Sequence, residues 1–359
     1  MRDDDREPAT RVLVMGCGGI GGIVAGHLAE LGVEVHAVSR NPAVVDAVTR
    51  QGFRIVGEGG YRQIPGNVHL TVPDLRFDYA LLATQPTDVE DAARQALPAL
   101  GDDGHLVCFQ NGLCEDRVAA VVGDPARVIG AVVAWGGSMV EPGLFDRTSA
   151  GGFVLGGALP GQAQSSAIQR LAALLECIGP VETTDDLAGA RWSKLAINCA
   201  ISALGTLAGT SLGKAMRSRT VRRLALEIMS EVVAVARAAG VKLQKVSGTV
   251  DLEWCALTEA ERQQEIGSIA LAAKHTLLLA VGMRFRRMRS SMLRAIEAGR
   301  PPAVDYLNGE IVERGRRYEI PVPVNAAMVD RIWAISRGEV KPGMRAVYRF
   351  FADTRPPAA

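Results

Sequence analysis

The chain has 359 residues, 48% of them hydrophobic, enough to bury a large core and to favour two domains over one. Its 40 basic and 39 acidic residues leave a formal net charge of +1, so no global field would hold it on nucleic acid or on an anionic membrane, and neither is expected as a partner. Six cysteines (Cys17, Cys108, Cys114, Cys177, Cys199 and Cys255) are scattered without CxxC spacing, which argues against disulfides and metal and suits reduced, mostly buried thiols.

Residues 1–10, MRDDDREPAT, are acidic and polar, lack the apolar centre of a signal peptide and read as a disordered leader. From Arg11 onward short β-rich runs alternate with helical patterns: RVLVMG, VEVHAVS, FRIVGEG, DYALLAT, HLVCFQN and RVIGAVVAW. That alternation predicts an α/β class, with a Rossmann domain built on a doubly wound, mainly parallel sheet over 11–188. Residues 20–31 repeat apolar positions on a helical period and Gly32 stands ready to stop the helix. The glycine-rich segment GLFDRTSAGGFVLGG contains a β-run that would finish the sheet. Beyond Gly189 the β-rich runs disappear and long helical patterns, such as 220–239 and 259–294, predict an all-α domain over 189–340 for substrate binding or dimerisation. Residues 341–359 read as a C-terminal tail. The longest apolar stretch, 268–283, is interrupted by Lys274 and His275 and is shorter than the roughly 20 residues that span a bilayer, so a cytoplasmic location is expected.

Gly16-Cys17-Gly18-Gly19-Ile20-Gly21 satisfies GxGxxG directly after the first strand and at the start of a helix. Glycine is needed there for the tight turn, for the approach of a pyrophosphate and for close packing of helix on strand, and the helix N-terminus offers free N–H groups to phosphates. The alternative is a merely structural glycine turn. The end of the second strand faces the adenosine ribose in such a domain, and here it reads Val38-Ser39-Arg40-Asn41. An acidic residue would favour a free 2′-hydroxyl; Ser39 and Arg40 instead offer a hydroxyl and a planar guanidinium to a 2′-phosphate, pointing to NADP(H). Arg40 could equally be an ordinary solvated loop residue.

Asn111, in Phe109-Gln110-Asn111-Gly112, follows the fifth strand, whose carboxyl end should lie beside a bound nicotinamide; as Asn-Gly it could also be a plain turn. On a helix, Lys194, Asn198 and Ser202 recur every four residues and share one face, which places an ammonium and an amide together on an otherwise apolar segment. Read alone, Lys194 could be a surface lysine with a nearby asparagine.

At this point the chain resembles the ketopantoate reductases (2-dehydropantoate 2-reductases), through MGCGGIGG, FQNGL, the KLAIN helix, RSSMLRAIEAGR and VDYLNGEIVERGRRYEIPVPVN, in that order and over about residues 11–333. The resemblance implies that Lys194 is the general acid, that Asn111 contacts cofactor and substrate, that Asn198 contacts a substrate hydroxyl and that Ser291 contacts a carboxylate. It implies an anionic carbonyl substrate. Ser291 could alternatively be a helix cap or a packed hydroxyl.

The chain departs from the family pattern at four polar positions. Ala303 stands where the motif before DYxNG has a glutamate, and Asp305 is no obvious rescue because the family has an aspartate there as well. Met288 stands for an asparagine, Ser202 for a second helix amide, and Gln85 for the lysine usual after the fourth strand. Residues 249–283 are longer than the corresponding family region and contain Trp254; a lid, a subunit contact or an extra core helix are all open, and with them a homodimer. The run Arg284, Arg286, Arg287, Arg289 and Arg294 could hold an anion or could be a solvated face. Three functions fit: an NADPH-dependent 2-oxo acid reductase, a related reductase of another carbonyl or imine, and a non-catalytic NADP(H) sensor.

Overall fold

The structure, a computed structural model, describes residues 10–245, 250–263 and 268–355. The leader read over 1–10 lies almost wholly outside them. The chain divides into two compact units, one holding the residues up to Gln110 together with Cys114–Leu187, the other Asn111–Leu113 with the chain from Ala188 onward.

The first unit opens with β1 (Arg11–Met15), α1 (Gly19–Glu30), β2 (Glu34–Val38) and α2 (Pro42–Gln51). β3 (Phe53–Gly57), β4 (Arg62–Ile64), β5 (Asn67–His69) and β6 (Phe77–Leu82) follow, then α3 (Val89–Ala96), β7 (Leu100–Cys108) and α4 (Glu115–Val122). It closes with β8 (Val128–Val133), β9 (Gly137–Glu141), β10 (Leu144–Arg147), β11 (Phe153–Gly157), α5 (Ser166–Leu175) and β12 (Val181–Thr183). Eight strands form the main sheet in the order β12-β11-β8-β7-β6-β1-β2-β5. β1 runs parallel to both β2 and β6, and only β11 on β8 is antiparallel. Val12, Leu13 and Val14 are wholly buried, as an unbroken apolar run covered on both sheet faces should be. This is the Rossmann-like, doubly wound sheet that the alternation predicts, with the strand order reversing about β1.

FRIVGEG does not enter that sheet. It forms β3 of a second sheet, ordered β4-β3-β10-β9, while the slot beside β2 goes to the short β5. The reason lies in its burial: Phe53 and Ile55 are buried while Arg54 and Val56 are partly exposed. A strand with one apolar face suits a sheet packed on one side, not the middle of a parallel sheet. The packed side is α1. A Cβ at Gly22 would stand 2.3 Å from the Phe145 ring, and one at Gly26 2.8 Å from Ile55, so these glycines let α1 carry the small sheet on one side. The GLFDR run becomes β10 of this second sheet, and FVLGG becomes β11 of the main one.

The second unit is built of helices: α6 (Leu187–Ala208), α7 (Leu212–Met216), α8 (Arg219–Ala238), α9 (Leu252–Cys255), α10 (Glu259–Gln263), α11 (Ile269–Arg284), α12 (Ser291–Glu297), α13 (Asn308–Arg317), α14 (Pro323–Ser336) and α15 (Met344–Asp353). Its core gathers Leu195, Cys199, Leu204, Leu224, Ile228, Val232, Met328 and Ile332. Among the described residues, the continuous helical pattern read over 259–294 falls into the three helices α10, α11 and α12. Trp254 of α9 is exposed, with the Lys274 ammonium 5.9 Å from its ring centre. The tail read over 341–359 needs correction, because α15 buries Ala346, Val347 and Phe350 against the core. Pro342-Gly343 is a turn into that helix, held by the Gly343 N–H donating to the Leu207 carbonyl at 2.8 Å. Among the described residues no helix is long and apolar enough to cross a membrane.

Candidate functional site

The glycine-rich turn begins where β1 ends. Gly16 has φ +99°, and a Cβ there would stand 2.9 Å from the Thr84 amide nitrogen, so glycine is required twice over. The N–H groups of Gly16 and Cys17 both donate to the Val38 carbonyl at 3.0 Å, which ties the turn to the end of β2. Cys17 is buried, and that burial pushes its thiol up to about 12, so its contribution to the turn is backbone alone. Gly18 is the N-cap of α1 and has nothing within 4 Å of its Cβ direction, whereas a Cβ at Gly21 would collide with the Gly16 carbonyl at 2.0 Å. The three motif glycines therefore do the three jobs that the motif requires: the turn, the open approach and the helix contact. No side chain caps α1 and its first turn has no acidic residue, so its N–H groups remain suited to phosphate oxygens. Gly19 and Ile20 start the helix; the Cβ direction of Gly19 is closed by Gly137 and Ser138 at 2.6–2.7 Å, and Ile20 packs on the core.

At the end of β2, Ser39 is buried, donates its N–H to the His69 carbonyl at 2.9 Å and accepts from the Asn41 N–H at 3.3 Å. Arg40 is open to solvent, with 79% of its side chain exposed, and pairs with Asp88 at 2.9 Å. Asn41 caps α2 through the Ala43 N–H.

In the second unit, α6 buries Leu195, Ala196, Cys199, Ala200, Ala203 and Leu204, while Lys194, Asn198 and Ser202 are each partly exposed along one line. The i, i+4 spacing does bring them together on a face. The Nδ2 of Asn198 is shielded from water and has no hydrogen-bond partner, an amide donor held ready for an acceptor. The Ser202 carbonyl accepts from the hydroxyls of Thr206 and Ser290, each at 2.8 Å. Ser290 also caps α12 by accepting from the Leu293 N–H at 3.3 Å. The helix-cap reading thus belongs to Ser290. Ser291, at the first position of α12, is exposed, one residue from the hydroxyl that ties α12 to the Ser202 turn. Asn111 groups with this second unit, where the neighbouring Gly112, at φ +101°, comes so close to the Tyr306 carbonyl that a Cβ would stand 2.6 Å from it.

Most of the other expected positions are exposed. The side chains of Arg284, Arg286, Arg287, Arg289 and Arg294 are exposed, and Arg289 pairs with Glu297 at 2.7 Å. Met288 is exposed, Gln85 is exposed at the foot of a short turn, and Ala303 opens a 3-10 turn, Ala303–Tyr306. Asp305 accepts from the Trp333 indole N–H at 3.0 Å.

Residues 12–159 match the family model of ketopantoate reductase PanE/ApbA, and residues 186–336 match that of its C-terminal part. The chain belongs to the ketopantoate reductase PanE/ApbA family. It is an oxidoreductase acting on a CH–OH/C=O group. Relatives include the 2-dehydropantoate 2-reductases of Pyrococcus horikoshii, 22% identical over 93% of this chain and 98% of that one, and of Mesorhizobium japonicum, 26% identical over 91% and 99%. The ketopantoate reductase family structure from Ralstonia eutropha JMP134 is 28% identical, with a TM-score of 0.75 over 92% of this chain and 99% of its own. A D-mandelate dehydrogenase solved with NADH and anilino(oxo)acetate shares the fold at 18% identity, with a TM-score of 0.77 over 92% and 100%.

Within this ketopantoate reductase frame, sequence reading missed a set of buried polar contacts: Ser290 on the Ser202 carbonyl, Asn308 on the Cys199 carbonyl and on Asn325, and Asn325 on Glu231. Ser290, Asn308, Asn325 and Glu231 carry no local signal of a site, although Asn308 and Asn325 lie in the DYLNG and PVPVN segments that carry the family resemblance.

Proposed function

We propose that the chain is an NADPH-dependent reductase of 2-oxo acids, making pantoate from 2-dehydropantoate or a 2-hydroxy acid from a related substrate, in the cytoplasm. The observation that carries this reading is the open face of α6, where one ammonium and one unsatisfied amide donor stand four residues apart on a largely buried helix. When bound, the nicotinamide supplies a hydride to the carbonyl carbon. As negative charge grows on the carbonyl oxygen, the Lys194 ammonium stabilises it and delivers the proton. Asn198 offers its Nδ2 to a substrate oxygen, Ser202 and Ser291 offer hydroxyls, with Ser291 turned to the carboxylate, and Asn111 serves both substrate and cofactor. Gly16, Gly18, Gly19 and Gly21, with the backbone of Cys17 and Ile20, would hold the pyrophosphate, and the open space over Gly18 fits that group.

The preference for NADPH rests on Ser39 and Arg40. The Arg40–Asp88 pair is largely exposed, and such pairs are worth about 0–1 kcal/mol, so a doubly charged 2′-phosphate can take the guanidinium from Asp88 at small cost. NADPH should bind roughly tenfold more tightly than NADH, and Arg40→Ala should shrink that ratio. Equal affinities by fluorescence titration would remove the assignment.

One observation favours a substrate other than ketopantoate. Asp305 is engaged by Trp333 and does not replace the carboxylate that Ala303 lacks. NADPH oxidation across a panel of 2-oxo acids, with ketopantoate among them, tests both statements. Turnover of at least one 2-oxo acid is expected, with ketopantoate behind the best of them. No turnover of any would defeat the reductase reading.

A further inference from the structure

Behind the open face of α6 runs a line of buried polar side chains that the proposed chemistry does not touch. Glu231 of α8, 3% exposed, accepts from the N–H groups of Val324 and Asn325, both at 2.9 Å, and from Asn325 Nδ2 at 2.7 Å. A carboxylate offers acceptors only, so it dictates which way the Asn325 amide points. Asn325 Oδ1 is thereby presented to Asn308, whose Nδ2 donates to it at 2.9 Å. The same Nδ2 donates to the carbonyl of Cys199 on α6 at 3.2 Å. Asn308 and Asn325 are wholly buried.

This orientation leaves Asn308 Oδ1 buried and without a partner. An unmet buried acceptor costs about 1–3 kcal/mol. Turning the Asn308 amide over would set its oxygen against two other oxygens. What the orientation secures is a hold on the carbonyl of Cys199, the residue directly after Asn198, whose own Nδ2 is the unsatisfied donor of the open face. Two orphaned polar atoms therefore flank one anchored carbonyl in the bonding pattern: the acceptor Oδ1 of Asn308, whose amide holds the Cys199 carbonyl, and the donor Nδ2 of Asn198, the residue before Cys199.

We propose that Glu231, Asn325 and Asn308 form a positioning relay that fixes the rotation of α6 so that Asn198 presents its amide donor to the substrate. Asn308 is then a positioning residue acting through Asn198. The inference rests on the reading of Asn198 as a substrate contact, and the test separates the two.

The experiment is a double-mutant cycle of Asn308→Ala with Asn198→Ala in the full chain, measuring kcat, KM and NADPH affinity with the best 2-oxo acid of the panel. Asn308→Ala is expected to lower kcat/KM by about tenfold, to leave NADPH affinity unchanged, and to lose most of its effect where Asn198 is already alanine. Additive losses would overturn the relay while leaving Asn198 as a contact; a silent Asn198→Ala would overturn both. Should Asn308→Ala not fold, the same cycle is read with Glu231→Gln, which keeps volume but lets the amide order reverse. If neither variant folds, the line serves folding and the proposal fails.

Discussion

The two units present their candidate groups in different materials. In the first, the candidate groups are backbone: N–H groups at an uncapped helix start, and glycines whose missing side chains leave room or allow contact. In the second they are side chains on a helix whose Cys199 carbonyl is bonded by a line of buried amides that ends on a carboxylate. The interiors differ in the same sense. Charge pairs of the first unit such as Arg40–Asp88 and Arg62–Glu30 lie toward the surface, whereas in the helical unit Lys274–Glu261 and Arg223–Glu227, each at 2.6 Å, are almost wholly buried. A backbone site is damaged by adding an atom, a side-chain site by removing one, and substitutions can test that contrast directly.

The largest effect should come from removal in the helical unit. Lys194→Ala is expected to cut turnover by on the order of 100-fold or more, while NADPH affinity stays nearly intact, because the ammonium acts on the transition state. Steady-state kinetics beside a fluorescence titration of NADPH would show the separation. A variant turning over at the normal rate would mean that another group donates the proton.

Addition should do the damage in the first unit, and the structure distinguishes two glycines of one motif. Gly18 has φ −94° and open space around it, so Gly18→Ala should fold and melt like the parent yet bind NADPH at least about tenfold more weakly, its methyl standing where the pyrophosphate approaches. Gly21→Ala places a methyl 2.0 Å from the Gly16 carbonyl and should lower the melting temperature itself. If Gly18→Ala bound NADPH normally, the open space over Gly18 would not be the phosphate site.

The same contrast explains what could be read in advance. The roles of Gly16, Gly18 and Gly21 follow from the local pattern, because a glycine motif between strand and helix states its own geometry. Lys194, Asn198 and Ser202 could be placed on one face because helical spacing is local too. The second sheet was not legible: FRIVGEG announces a strand but not its neighbours, and its partner β10 lies about 90 residues on. The two adjacent serines gave no sign of which one caps: the cap on the Leu293 N–H is local, but the bond that also ties Ser290 to the Ser202 carbonyl reaches across 88 residues. Arg40 reads as a free cation until Asp88, 48 residues away, is found beside it. The relay behind α6 joins residues 109 and 94 positions apart, and no window along the chain contains both ends.

The smallest effect concerns the buried polar interior of the helical unit, where His275 of α11 tests whether that interior carries a pH liability. It is buried, its Nδ1 is shielded and without a partner, and burial, reinforced by the charges of Arg222, Arg219 and Arg223, brings its pKa down to about 4. The unfolded chain takes up this proton near 6.5 and the folded one only near 4. Between those values the unfolded state binds more protons, so the stabilising contribution is present above pH 6.5 and is lost as the pH falls toward about 4. At pH 5.5 the expected loss is on the order of 1 kcal/mol, a shift of a few degrees in melting temperature. Carboxylates held by cations, such as Glu261 beside Lys274, lose stability in the same direction, so the parent must be compared with a variant that differs only at this ring. His275→Phe keeps an aromatic side chain of similar size but cannot be protonated, and its melting temperature should fall less steeply than the parent's from pH 7 to pH 5. Parallel curves for the two proteins would show that the imidazole is protonated in the folded state as readily as in the unfolded one, and that the acid sensitivity of the helical unit lies elsewhere.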